Sequence, residues 1–133
     1  MLGAEHPNTL SSMIKLASIY QKQGRLDEAV KLQTKAFEGL QTVLGAEHPN
    51  TLGSMANLAL IYQEQGRLDE AVELGTKVFE ELQRVLGNNH PDTKKSRATL
   101  SLIYNNRGQL SEAMKSRIKD WMRSQRVSGR EQE

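Results

Sequence analysis

The sequence contains no cysteine. Disulfides, thiol catalysis and cysteine-bound zinc are therefore excluded, and a reducing compartment such as the cytoplasm is expected. Aromatic residues are few, with one Trp, two Phe and three Tyr, and the three prolines each follow a histidine. No apolar run approaches the eighteen or so residues of a membrane span. The opening Met1-Leu2-Gly3-Ala4-Glu5 has neither the basic nor the apolar region of a signal peptide. Alternating β-branched runs are missing, which argues against a sheet. The ten glycines include no GxGxxG or GxxxxGK run, so phosphate cradling has no support.

What is present is 133 residues, 37% apolar and 26% charged, too apolar in pattern for disorder. The net charge of +2 hides an asymmetry: residues 1–86 carry 8 basic and 11 acidic side chains, residues 87–133 carry 10 and 5. A basic end of this kind can attract acidic partners or nucleic acid, but a solvated terminus is the plainer reading.

The dominant feature is repetition. Gly3 to Leu44 and Gly45 to Leu86 differ at ten of 42 positions, and a looser third copy begins at Gly87. A fixed period of this length decides the architecture before any single residue is weighed. Each copy opens Gly-x-x-His-Pro, at Gly3, Gly45 and Gly87: glycine suits a helix end and proline the first turn of the next helix. The segment after it, from Asn8 to Gln23 in the first copy, places Leu10, Met13, Leu16, Ala17 and Tyr20 at helical spacing. It is called helix A here, and Gly24 ends it. Helix B begins Leu26-Asp27-Glu28-Ala29, with acids at the positive end of its dipole, and runs about nineteen residues, ~28 Å. Two short-linked helices lie antiparallel, and neither buries its apolar face alone; stacked pairs give an α-solenoid.

Leu16-Ala17, Tyr20, Gly24 and Ala29 resemble the signature of tetratricopeptide repeats, as do Leu58-Ala59, Tyr62, Gly66, Ala71 and Leu100-Ser101, Tyr104, Gly108, Ala113. The family's usual unit is 34 residues; the longer unit here is read as one added turn in each helix. The 42-residue form with its LG-x-x-HP-x-T opening is similar to repeats in kinesin light chains, and closer still to arrays that end many fungal nucleotide-binding receptor-like NTPases. The resemblance implies an all-α right-handed solenoid of three repeats. They are 3–44, 45–86 and a capping 87–128 within a single domain 1–133, with 129–133 as a frayed tail.

Against the second copy, helix B of the third changes Leu74→Ser116, Gly75→Arg117, Val78→Asp120, Leu82→Ser124 and Leu86→Ser128. A terminal repeat needs a polar outer face, so this is read as a C-terminal cap with Trp121 and Met122 packed inward. Helix A of that copy carries Lys94 and Arg97 where the second has Leu52 and Met55. Repeat 1 keeps Leu10, Met13 and Ala17 as though another repeat preceded it. The expectation is the C-terminal piece of a longer array, or self-association through an uncapped N-terminal face.

His6, His48 and His90 hold one place in each repeat, with no second ligand within a turn, so a structural role beside proline is expected and no metal. Glu28, Glu70 and Glu112 are first-turn acids, and Tyr20, Tyr62 and Tyr104 are read as core spacers, not base-stacking platforms. No catalytic set emerges, and no cofactor is called for.

In helix A the two closest copies differ at Ser11/Gly53, Ile14/Ala56, Lys15/Asn57, Ser18/Leu60 and Lys22/Glu64, a single stripe on a helix. The third repeat contributes Lys95, Ala98, Thr99, Leu102 and Asn106 there. Helix B also varies, at Lys31/Glu73, Gln33/Gly75, Ala36/Val78, Gly39/Glu81 and Thr42/Arg84, so free drift of exposed positions is an equal explanation. The resemblance implies that the helix A stripe lines the concave groove where family members bind peptides. Lys15, Asn57 and Thr99 fall where members that clamp a carboxylate carry Asn or Arg; only Asn57 matches. The expected function is a non-catalytic protein–protein interaction scaffold holding an extended peptide or helix. The alternatives are an oligomerisation element of a receptor-like NTPase and a nucleic-acid role for the basic third repeat. No membrane association is expected.

Overall fold

The computed structural model describes residues 6–105 and 111–132, with side chains left aside at 7, 121 and 124–132. The described residues form six helices and no strand: α1 (Pro7–Lys22), α2 (Leu26–Leu44), α3 (Pro49–Glu64), α4 (Leu68–Leu86), α5 (Pro91–Tyr104) and α6 (Glu112–Gln132). Helix A of each repeat is therefore α1, α3 or α5, and helix B is α2, α4 or α6. Each of α1 to α4 packs on the next in sequence, and α3 also touches α5.

The ends of these helices follow from a few residues. Each helix A starts at its histidine, which holds an extended backbone conformation while its Nδ1 accepts from the amide two residues on. Those bonds are 3.1 Å to Asn8, 3.0 Å to Asn50 and 3.1 Å to Asp92. Proline follows at the first helical position, where no amide hydrogen is needed. The recurring histidines are helix caps, as expected.

Helices α1 and α3 end in a Schellman turn. Gly24 and Gly66 sit at φ +80° and +81°. The amide of Arg25 reaches back to the carbonyl of Tyr20, and that of Arg67 to Tyr62, both at 2.8 Å. This motif favours a side-chain contact between the same two residues. Here the guanidinium lies over the phenol ring, 4.4 Å from its centroid for Arg25–Tyr20 and 4.2 Å for Arg67–Tyr62. Each arginine also pairs with Glu28 or Glu70 in the first turn of helix B. The first-turn acids expected to support the dipole thus also clamp the turn.

Within a repeat, the inner seam is made by Leu10 and Ala17 in repeat 1 and by Leu52, Met55 and Ala59 in repeat 2. Leu10 lies so close to α2 that a Cβ on Gly39 would stand 2.5 Å from its Cδ2. Between repeats the seam is different. Helix A turns a second flank toward helix B of the preceding repeat, carrying Leu58 and Ile61 in α3 and Leu100 and Ile103 in α5. All four are at most 6% exposed, whereas the equivalent Leu16 and Ile19 of α1 are 40% and 51% exposed. This corrects the reading that Leu10, Met13 and Ala17 bear the uncapped N-terminal face. Leu10 and Ala17 are buried inside repeat 1's own helix pair, and the bare face is Leu16 with Ile19.

The third repeat is polar on its outer flank where described, with Ser116, Arg117 and Asp120 exposed. Met114 and Ile118 point inward to join Leu68, Val72, Phe79, Leu100 and Ile103, with Met122 packed against them. The Trp121 side chain and positions 124 and 128 lie outside the described side chains. Lys94 and Arg97 are exposed, and Arg97 places its guanidinium 5.5 Å from the Phe79 ring centroid, which keeps part of the contact that Met55 makes in repeat 2. The segment read as a frayed tail from 129 is continuous with α6 as far as Gln132, because Arg130-Glu131-Gln132 are good helix formers.

The contrast between the two flanks predicts unequal costs for one substitution. Leu100→Ala should lower stability by about 2–5 kcal/mol, while Leu16→Ala at the same repeat position costs under about 0.5 kcal/mol. Urea unfolding of the two variants measures both.

Candidate functional site

Part of the variable stripe, on α3 and α5, lines a hollow of about 210 Å³ between those helices. Ala56, Asn57 and Leu60 line it from α3, and Lys95 and Thr99 line it from α5. Gly53 and Ala56 are small, which leaves the space open, and Leu82 of α4 supplies an apolar floor. Thr99 is buried and its hydroxyl donates back to the Lys95 carbonyl at 3.1 Å, so it shapes the wall without offering a free donor. Asn57 is half-buried and Lys95 exposed, and they approach the hollow from different helices. An amide and an ammonium over a Leu floor can hold a backbone carbonyl or a carboxylate beside an apolar side chain.

The other expected residues lie outside that lining. Ser11, Lys15 and Lys22 are exposed on α1, with Ile14 and Ser18 half-buried. Ala98 and Leu102 are exposed on α5. Glu64 is linked to α1, where the Gln21 side chain donates to its Oε1 at 2.6 Å. Asn106 lies outside the described residues. Sequence reasoning missed Pro49, Asn50, Leu82, Asp92 and Ser96 as lining residues, and kept Gly53 only as a variable position. Asn50 and Asp92 had a signal, their place one residue after the helix-opening proline. Leu82 was read only as a position facing a following repeat, and Ser96 carried no signal.

A second hollow, of about 500 Å³, opens on the helix B side between α4 and α6. Val72, Met114 and Ile118 floor it, and Glu73 pairs with Arg117 across it at 2.9 Å. Thr76 lines it, on the side of the Tyr104 phenol. Burial pushes the Tyr104 pKa well above the ordinary phenol range; the Thr76 hydroxyl offsets this in part, and the Glu80 charge adds to the rise. No group of three His, Asp or Glu side chains able to hold a metal occurs among the described residues. No described helix is long and apolar enough to cross a membrane.

Stacked helix pairs with a capping histidine in each, and a Schellman glycine with a Tyr–Arg clamp in the first two, define a helical repeat solenoid. The tetratricopeptide repeat family profile matches residues 8–80 and 51–116 of the chain. This chain belongs to the tetratricopeptide repeat family. It is similar to a solved structure of nearly identical TPR-like repeats from a Podosopora anserina putative kinesin light chain. The identity is 32% over 96% of this chain and 60% of that one, with TM-score 0.69. A single-residue variant of the same repeats matches at 31% identity over 97% and 60%, with TM-score 0.71. The chain thus spans 60% of the length of these structures. No curated protein matches it. Tetratricopeptide repeats generally serve as protein–protein interaction scaffolds and are generally non-catalytic.

The Tyr104 environment has a pH consequence. A phenol whose pKa is raised on folding favours the fold fully below its unfolded value, ~10, and that stability is lost as pH rises from there toward the folded pKa. Stability should therefore fall above about pH 10, and a Tyr104→Phe variant should lose less over the same range. Thermal melts of both proteins from neutral to strongly alkaline pH check this.

Proposed function

We propose that the chain is a non-catalytic protein-binding scaffold that lays an extended peptide or partner helix across the α3–α5 hollow. The observation carrying this reading is the joining of Asn57 and Lys95, from separate repeats, over a floor of Leu60 and Leu82. Such a site suits a ligand with one apolar side chain and a nearby carbonyl or carboxylate, as in an amphipathic, partly acidic segment. Family membership supports the general role, and the hollow supports the place. Cytoplasmic residence is proposed with it, on the absence of cysteine.

Two other readings stand behind this one. Nucleic-acid contact through the third repeat is the weaker, since Arg97 is engaged with Phe79 and Arg117 with Glu73. Steeply salt-dependent binding to random duplex or RNA would favour it. Self-association is supported by the exposure of Leu16 and Ile19. Assembly without any ligand, dependent on concentration, would favour it, within a receptor-like NTPase or elsewhere.

Asn57→Ala combined with Lys95→Ala should weaken a peptide selected from an acidic amphipathic display library by about tenfold, ~1.4 kcal/mol. Helicity by circular dichroism should stay unchanged. Unaltered affinity would remove the hollow as the binding site.

A further inference from the structure

Among the described residues three arginines lie over aromatic rings, and two of them also hold a carboxylate. Arg25 covers Tyr20 and pairs with Glu28; Arg67 covers Tyr62 and pairs with Glu70. Arg97 lies 5.5 Å from the Phe79 ring centroid and has no ion-pair partner among the described acids. It is the same clamp without its acid.

The acid is missing where the seam that closes repeat 2 is missing. There Leu52 and Met55 of α3 pack with Leu74 and Val78 of α4, and Ala59 is wholly buried. In repeat 3 those positions are Lys94, Arg97 and Ser101 on α5 with Ser116 and Asp120 on α6, and all five are exposed. Ala113 is exposed as well, although Ala29 and Ala71 at its position are fully buried. Helix α5 is held by its other flank: Leu100 seats on the bare backbone of Gly75, where an added Cβ would stand 2.9 Å from it, and Ile103 lies beside it. Helix α6 is held by Met114 and Ile118, in one cluster with Leu68, Val72 and Phe79. Both helices are thus anchored on α4, and their polar flanks stay in water.

On its bare flank α5 presents two cations one turn apart, Lys94 and Arg97, and neither pairs with Asp120 or another described acid. A stacked guanidinium keeps its in-plane N–H groups free, and these form a fork that matches a planar carboxylate. The ring already restricts the arginine side chain, so less freedom is lost when an acid binds. Side chains three apart on a helix stand about 5–6 Å apart at Cβ, so a second carboxylate at about that distance meets the Lys94 ammonium. A nucleic-acid backbone fits less well, since it is held by a run of cations that follow its phosphates, and one of the two here is fixed on a ring.

We propose that the α5 flank of Lys94 and Arg97 is a docking site for an acidic protein segment with two carboxylates on one side. One carboxylate completes the Arg97–Phe79 clamp and the other pairs with Lys94. Neither residue lines the α3–α5 hollow, so the site does not depend on that reading.

The probe is the blocked peptide Gly-Glu-Ala-Glu-Gly, whose glutamates lie on one side of an extended chain roughly 7 Å apart. Its uncharged control is Gly-Gln-Ala-Gln-Gly. Titrated into the isotope-labelled chain at low salt and followed by NMR, the probe should shift the Arg97 Nε–H and the Lys94 amide saturably, and the control should not. Arg97→Lys keeps the charge but loses the fork and the stacking, and should weaken binding roughly fivefold; Lys94→Gln should weaken it about twofold. Both side chains are exposed, so neither variant should lower the melting temperature. Asn57→Ala, which alters only the hollow, should bind as the parent does. Absence of saturable shifts, or an Arg97→Lys chain that binds as tightly as the parent, would overturn the proposal. So would an RNA trinucleotide, with its two phosphates, that shifts Arg97 at lower concentration than the peptide, because the occupant would then be a phosphate backbone.

Discussion

A Leu–Ile pair on the flank of helix A can be buried only by a helix that belongs to the neighbouring repeat. That constraint governs the whole chain. Leu58 and Ile61 depend on α2, and Leu100 and Ile103 on α4. Each such side chain contributes about 1.5–3 kcal/mol when fully buried, and the ordering of every residue costs on the order of 1–2 kcal/mol. An isolated helix pair buries one seam and leaves the other in water, so most of what offsets the ordering cost arises at junctions. Stability in such a molecule is a nearest-neighbour property.

Polar groups decide the register in which those junctions form. A hydrophobic stripe alone tolerates sliding by a turn. The bonds of Gln33 to Ser54, Gln65 to Asp27, Asp69 to the Ser111 amide and Thr93 to the Leu82 carbonyl do not, since each fixes one residue opposite one other. The buried amide of Gln33 is costly if unmatched, and so it penalises every wrong register more than it rewards the right one. The turn clamps act in the same way within a repeat. A guanidinium held between a phenol face and a carboxylate sets the angle at which helix B departs from helix A.

The architecture was legible because repetition and helical period are both properties of one chain read against itself. The caps were legible too: histidine before proline and glycine after a Tyr-containing helix carry their conformations locally. The hollow was half legible. Asn57, Leu60 and Lys95 were found because corresponding positions of the copies differ there, whereas nothing local ties Leu82 and Ser96 to a hollow until α3, α4 and α5 are set side by side. The bare face was misplaced, with Leu10 and Ala17 chosen in place of Leu16 and Ile19. On a helix with two apolar flanks, periodicity shows that a residue is turned inward somewhere. It does not show whether the covering helix lies in the same repeat or the one before. Leu102, exposed on α5, is the opposite case, an apolar residue at helical spacing that stays largely in water.

The two junctions reach the same end by different chemistry, an amide latched to a serine in one and a leucine seated on a glycine in the other. Every helix A carries both the serine and the leucine, and therefore accepts either kind of predecessor. Repeat 1 or repeat 2, duplicated or exchanged in register ahead of repeat 3, would leave no junction chemically incomplete. The length of the array is thus free to change without any matching substitution elsewhere, much as a chain can gain a link when every link bears both halves of the clasp.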